Sequence, residues 1–222
     1  MATFILVHGG GRTSWDFHRL IPALESLGHK AVAPDLPFED KSAGLPEYAA
    51  HVASFAEGLP DPVLVGHSFG GYIAPLAAAA MPARMIVLLG AMVPLHGEAV
   101  SDFWGNTGHT ELNVRLDSPD EIRSNFFHDV PELADEGLDR SRSQGRPSWT
   151  VPWGLPSWPD APTRFLAFDE DRLFPPSFLE PVVAERLKLP LDTVPGGHFA
   201  ILSNPVAVAE RLRDYWLAVA DE

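Results

Sequence analysis

Residues 63–71 read Val-Leu-Val-Gly-His-Ser-Phe-Gly-Gly, and no other stretch of the chain constrains its fold so tightly. A short apolar run, Val63 to Val65, stops at Gly66-His67-Ser68-Phe69-Gly70, and a helix-like segment follows at once. A G-x-S-x-G between a strand and a helix is the pattern of a nucleophile elbow. The turn is too tight for ordinary backbone angles, and strain of that kind persists where the surroundings enforce it, often at active sites. Glycines flank the serine because side chains at 66 and 70 would collide as strand and helix close around it. The pentapeptide alone says little, since Gly and Ser are common in loops. Its placement between strand and helix gives it weight.

Two further segments extend the pattern. Near the N-terminus an apolar run, Phe4 to Val7, leads into His8-Gly9-Gly10-Gly11. Glycines just after a strand let backbone N–H groups approach a substrate oxygen, as an oxyanion hole requires. A plain turn before the helix expected near Ser14 would look the same. Near the C-terminus Leu189 to Val194 reads as a strand ending in Pro195-Gly196-Gly197-His198. Asn204-Pro205 then reads as a helix start, with Asn as N-cap and Pro at the first helical position. His198 thus lies at the carboxyl end of a strand, where a general base belongs. The third group is an acid that orients the imidazole. The run from Arg164 to Phe168 leads into Asp169-Glu170-Asp171-Arg172-Leu173-Phe174-Pro175, which offers three carboxylates. Spacing does not choose among them, and at least two should be solvated loop charges.

The chain resembles the α/β-hydrolases, and within them the small-esterase group of plant methylesterases and hydroxynitrile lyases. The resemblance runs from His8-Gly9-Gly10 and Trp15, through Ala33-Pro34-Asp35-Leu36-Pro37 and the Ser68 elbow, to Gly197-His198. It implies that the acid is Asp171, in an Asp-Arg-x-x-Pro stretch, with Asp169 as second choice. It also implies oxyanion donors at the backbone N–H groups of Gly10 and Phe69. The expected chemistry is ester hydrolysis through an acyl-enzyme on Ser68, with His198 as base and no cofactor. Three rivals share the architecture. A hydroxynitrile lyase of the plant type carries a threonine after the strand-end histidine and a lysine after the catalytic one, where this chain has Gly9 and Phe199. A C–C bond hydrolase would use the same three residues, and a non-catalytic small-molecule receptor can retain them. Epoxide hydrolases and haloalkane dehalogenases place aspartate where Ser68 stands.

Composition fits a single α/β domain over residues 1–222, large enough to bury about 70% of its unfolded surface. With no cysteine, disulfides, thiolate metal sites and a cysteine nucleophile are excluded. Sixteen Lys plus Arg against thirty Asp plus Glu leave a net charge of −14, which opposes binding to nucleic acid or anionic membranes. The N-terminus shows neither a basic leader nor a long apolar segment, so a cytoplasmic location is expected by default. The expected partner is a small-molecule ester, and oligomeric state is not legible.

Apolar runs alternate with helical patterns, which predicts about six mostly parallel strands with helices on both faces. Strands are expected near 3–7, 30–33, 62–65, 85–89, 164–168 and 189–194, and helices near 14–27, 46–58, 69–81, 176–187 and 205–219. The last helix repeats apolar residues at Val208, Leu212, Tyr215 and Val219. Roughly residues 94–162 form an insertion too long for a loop, expected to be a helical cap over the catalytic face, with a helix starting at Ser118-Pro119-Asp120-Glu121. It holds Trp104, Trp149, Trp153 and Trp158, four of the six tryptophans. They either line an apolar substrate pocket or fasten the insertion to the sheet. The nine histidines show no metal-ligand spacing. His18, His29, His51, His96, His109 and His128 are expected at the surface or on helices, and His67 in local packing.

Overall fold

The computed structural model describes residues 1–220. Six parallel strands lie in the order β2-β1-β3-β4-β5-β6: β1 Thr3–Val7, β2 Lys30–Val32, β3 Val63–His67, β4 Met85–Leu89, β5 Thr163–Phe168 and β6 Asp192–Val194. The four inner strands read as continuous apolar runs because helices cover both of their faces. Side chains alternate between two cores. Ile5, Val7, Leu64, Ile86, Leu88 and Phe165 face one, while Phe4, Leu6, Val63, Val65, Val87 and Phe168 face the other. The first core is closed by α2 (Leu45–Ser54), α3 (Gly70–Ala80) and α8 (Pro176–Arg186), and the second by α1 (Leu20–Ser26), the short α9 (Ala200–Ser203) and α10 (Pro205–Ala220). Val208, Leu212, Tyr215 and Val219 of α10 are all buried.

Parallel strands bring all their carboxyl ends to one edge. Register aligns Val7 with Gly66, His67 with Leu89, and Phe168 with Val194. The order reverses between β1 and β3, and the crevice outside such a switch point is where open α/β sheets bind ligands. His8 and Ser68 follow those two strands directly.

The helix expected over 14–27 is interrupted. A 3-10 turn spans Ser14–Phe17 and α1 begins at Leu20. Pro22 accounts for the break, since it has no N–H for the carbonyl four residues back and its ring would clash there. In the restarted helix it falls in the first turn, where that donor is not needed.

Between β4 and β5 the chain forms α4 (Val100–Asn106), α5 (Pro119–Phe126), α6 (Ala134–Asp139) and α7 (Pro147–Thr150), with short 3-10 turns at His109–Leu112 and Pro131–Leu133. At α5, where the sequence predicts a helix start, the Ser118 Oγ accepts from Glu121 N–H (3.3 Å) and Glu121 Oε2 accepts from Ser118 N–H (3.0 Å), a reciprocal cap. The two ends of the segment are tied together. Gly97 N–H donates to Trp153 O and Trp153 N–H to Glu98 O, both at 3.0 Å. The Trp153 indole donates to Tyr72 O on α3 (3.1 Å), and Tyr72 hydroxyl donates to Glu98 Oε2 (3.0 Å).

Glu98 and Arg186 form a two-pronged ion pair at 2.6 and 3.0 Å, with side chains only 4% and 6% exposed. Burial raises the Glu98 carboxyl, but bonds from Arg186, Asn106 and Tyr72 outweigh it and hold the pKa below its ordinary value. A depressed carboxylate stabilises the fold above its unfolded pKa, and that contribution is lost as pH falls through the folded value. Glu98→Gln leaves the guanidinium buried without its counter-charge, which should cost about 3–5 kcal/mol. Urea unfolding of the variant at neutral pH checks this, and an unmoved midpoint would contradict it.

Candidate active site

Ser68 sits just past β3 with φ of +54°, one of few non-glycine residues in the left-handed region. Such a conformation costs about 1–3 kcal/mol and is held only by its surroundings. The holding groups are visible. Ser68 N–H donates to Leu89 O (3.2 Å), and Ser68 O accepts from Gly71 N–H and Met92 N–H, each at 3.0 Å. A side chain at Gly66 would place its Cβ 2.6 Å from Gly70 O, so the elbow closes only with glycine there.

In a trans peptide the C=O and the following N–H point in opposite directions. With Ser68 O turned toward the Gly71 and Met92 amides, Phe69 N–H faces the other way. The same logic applies after β1. Leu36 N–H donates to His8 Nε2 (3.0 Å), so Nε2 is the acceptor and Nδ1–H donates to Gly9 O (2.9 Å). Burial lowers the His8 pKa and keeps this ring neutral. Arg12 N–H also reaches Gly9 O (3.3 Å), so Gly10 N–H is directed away from both. Among the described residues neither Gly10 N–H nor Phe69 N–H donates to a protein acceptor, whereas Gly11 N–H is taken by Gln144 Oε1 (3.0 Å). A Cβ on Gly9 would lie 3.3 Å from Ser68 Cβ, which puts the glycine loop against the serine.

His198 and Asp171 are buried together, with His198 Nδ1 2.8 Å from Asp171 Oδ2. The other oxygen, Oδ1, accepts from Leu173 N–H (2.8 Å) and Phe174 N–H (2.9 Å). Of the neighbouring acids, Asp169 and Glu170 are exposed. Asp171 alone of the three bonds the imidazole, which leaves Nε2 as the nitrogen with a free lone pair. Ser68 Oγ makes no hydrogen bond among the described residues, and such contacts often tighten only with substrate present.

Several neighbours escaped the sequence reading. His67 Nε2–H donates to His198 O (2.9 Å), a contact across 131 residues rather than local packing. Burial, then the nearby His198, pushes its pKa well down, so it stays neutral. His29 is buried rather than exposed; His109 begins a 3-10 turn as a helix residue but is buried as well, and its Nε2–H donates to Leu173 O (2.7 Å), two residues past Asp171. Asn204 stands just before α10, where its carbonyl accepts from Val208 N–H (3.3 Å), and its side-chain amide donates to Pro195 O (3.1 Å), which ties down the loop before His198. Arg12 pairs with buried Asp16 (2.7 Å) and lies 5.0 Å above the Phe199 ring. The His67, His109 and Arg12–Phe199 contacts had no signal in spacing, because their partners are distant in sequence.

The four tryptophans separate. Trp153 is buried and bonded to α3, and Trp158 donates to Thr163 Oγ1 (2.9 Å). Trp158 also lines a groove with Ala78 and Met81, at the end of α3 remote from Ser68. Trp149 lies against Phe69, with ring centroids 6.0 Å apart. Trp104 lines a cavity of about 350 Å³ with His109, Val114, Leu116 and Leu173. Among the described residues no group of three or more His, Asp or Glu side chains could hold a metal ion. No described helix is long and apolar enough to cross a membrane.

This fold and this edge of the sheet define a class. The chain matches the alpha/beta hydrolase family over residues 4–211 and belongs to it. It is 24% identical to a norfluorocurarine synthase from Strychnos over 257 residues, covering 99% of this chain and 95% of the relative. A shorter match, 38% identical over 109 residues, links 41% of this chain to 39% of polyneuridine aldehyde esterase from Rauvolfia serpentina. A solved methylesterase from Arabidopsis superposes with a TM-score of 0.78 at 20% identity, covering 100% of both chains. The likeness to small esterases thus holds in sequence and in fold.

Proposed function

We propose that this protein is a serine hydrolase that cleaves a small apolar or aromatic carboxylic ester. The observation that carries the reading is Ser68 held at positive φ on the switch-point edge that also bears the bonded His198–Asp171 pair. Esterase relatives support the same class. His198 Nε2 removes the Ser68 proton as Oγ attacks the ester carbonyl, and Asp171 holds the imidazole tautomer and stabilises the imidazolium. Amides of Gly10 and Phe69 receive the oxyanion, each contributing about 3–4 kcal/mol in comparable sites. The alcohol leaves with the proton returned by His198, and water activated by the same ring releases the acid.

Residues 94–162 act as a cap in this reading. Trp104 and Trp149 then line the substrate pocket, while Trp153 and Trp158 fasten the cap to the body. The cavity beside Leu173 offers Trp104, Val114 and Leu116 to an alkyl or aromatic group, with His109, Thr110, Asn113 and Asp117 as its polar lining.

Phe199 is buried among Phe126, Phe127 and His67, and the Arg12 charge beside it is spent on Asp16. Among the described residues no free cation is left there to stabilise cyanide. The protein should therefore hydrolyse short p-nitrophenyl esters and leave mandelonitrile intact. Incubation with each, following acid, cyanide and bound ligand, checks this. Rapid cyanide release without ester turnover would contradict it, and tight binding with one slow turnover would indicate a receptor.

A further inference from the structure

We propose that four consecutive residues of the insertion, Phe126-Phe127-His128-Asp129, clamp the His198–Asp171 pair, with Asp129 as its positioning residue. The proposal rests on the reading of His198 as the base. Each of the four touches one of the two loops that carry the pair. The Phe126 ring stacks on the His198 imidazole, with centroids 5.0 Å apart and planes 29° from parallel. Phe127 packs against Phe199 at 4.8 Å. His128 Nε2–H donates to Glu170 O (3.0 Å), the carbonyl next to Asp171. Asp129 Oδ2 accepts from Gly197 N–H (2.6 Å), next to His198, and from Ser203 Oγ–H (2.5 Å) beyond it.

These contacts span 42 residues to Glu170 and 68 to Gly197, so no local turn produces them. The His198 backbone is consequently held from two sides. Asp129 grips the Gly197 N–H ahead of it, and His67 grips the carbonyl of His198 itself. Hydrogen bonds to a carboxylate are roughly twice as strong as neutral ones, and here one oxygen takes two. The other oxygen, Oδ1, is buried without a partner among the described residues and lies 2.7 Å from where a Cβ on Gly197 would stand. His128 Nε2 would be 2.6 Å from the same Cβ. Glycine at 197 is therefore what lets the insertion come this close.

Displacing a reacting group by about 1 Å can cost about 100-fold in rate, so the clamp should show in kcat and not in substrate affinity. Asp129→Ala is expected to lower kcat about 10–100-fold with KM held within about twofold. Asp129→Asn keeps an oxygen that can accept from Gly197 N–H, and should lose only about fivefold, the worth of one modest hydrogen bond. Gly197→Ala presses on the clamp from the other side and should reproduce the alanine effect. The downfield proton resonance of the His198 Nδ1–H shared with Asp171 reports on the pair without turnover, and it should shift or broaden in Asp129→Ala and Gly197→Ala. Wild-type kcat with an unaltered resonance in both variants would overturn the proposal. A fall in melting temperature with unchanged kcat per folded molecule would overturn it too. If Ser68→Ala retained turnover, the nucleophile reading would fail by itself, and the resonance would still decide the clamp.

Discussion

Ser68→Ala should abolish ester turnover while the protein stays folded. Removing the nucleophile of a Ser-His-Asp set leaves only the oxyanion donors and substrate binding, a loss of about six orders of magnitude in a model protease. The elbow should survive the change. Its hydrogen bonds, from Gly71 and Met92 to Ser68 O and from Ser68 N–H to Leu89 O, are all made by backbone. A melting curve that coincides with that of the parent would show that the loss lies in chemistry. Unchanged turnover in the alanine variant would place the nucleophile elsewhere.

Asp171→Asn should lower kcat by about four orders of magnitude. An amide in that position stabilises the wrong imidazole tautomer while leaving the geometry nearly intact. Asp171 Oδ1 must keep accepting from Leu173 and Phe174, which fixes the side chain so that a substituted Nδ2 would face His198 Nδ1. Asp169→Asn should change kcat little, because that carboxylate is exposed and makes no contact with the imidazole. Steady-state kinetics of the two variants with one ester decide the matter. The reverse order of effects would move the acid to Asp169.

What the sequence made legible follows from how far apart the interacting residues lie. The inner strands were readable because a strand buried on both faces must be apolar throughout, and Val63–Val65 and Met85–Leu89 are. The elbow was readable because strand, serine and helix are contiguous. Which of Asp169, Glu170 and Asp171 bonds the imidazole was not readable from spacing, since all three follow β5. The turn after that strand buries Asp171 against His198 and exposes the other two. The segment 14–27 is shorter as a helix than its sequence suggests, because Pro22 forces the restart at Leu20. Strand β6 is shorter than expected, starting at Asp192, after a stretch that includes Pro190 and a left-handed Lys188. Contacts of His67 with His198 and of Asp129 with Gly197 join residues separated by 131 and 68 positions. Nothing in either local sequence announces such pairs; the crossovers of the sheet create them.

The same separation explains the insertion. Its capped helix at Ser118 was local and could be read, whereas the destinations of its tryptophans could not. Trp153 and Trp158 are occupied by hydrogen bonds to the body of the fold. Trp104 and Trp149 remain the pocket residues of the proposed mechanism.

The proposed mechanism has Ser68 forming a covalent acyl intermediate. Incubating the protein with a serine-reactive aryl phosphonate and mapping the adduct by peptide mass spectrometry examines that bond itself. One phosphonyl group is expected on Ser68, formed at a rate that collapses in His198→Gln and Asp171→Asn, with parallel loss of ester turnover. Labelling of a different residue, or full turnover by a protein whose Ser68 is blocked, would contradict it.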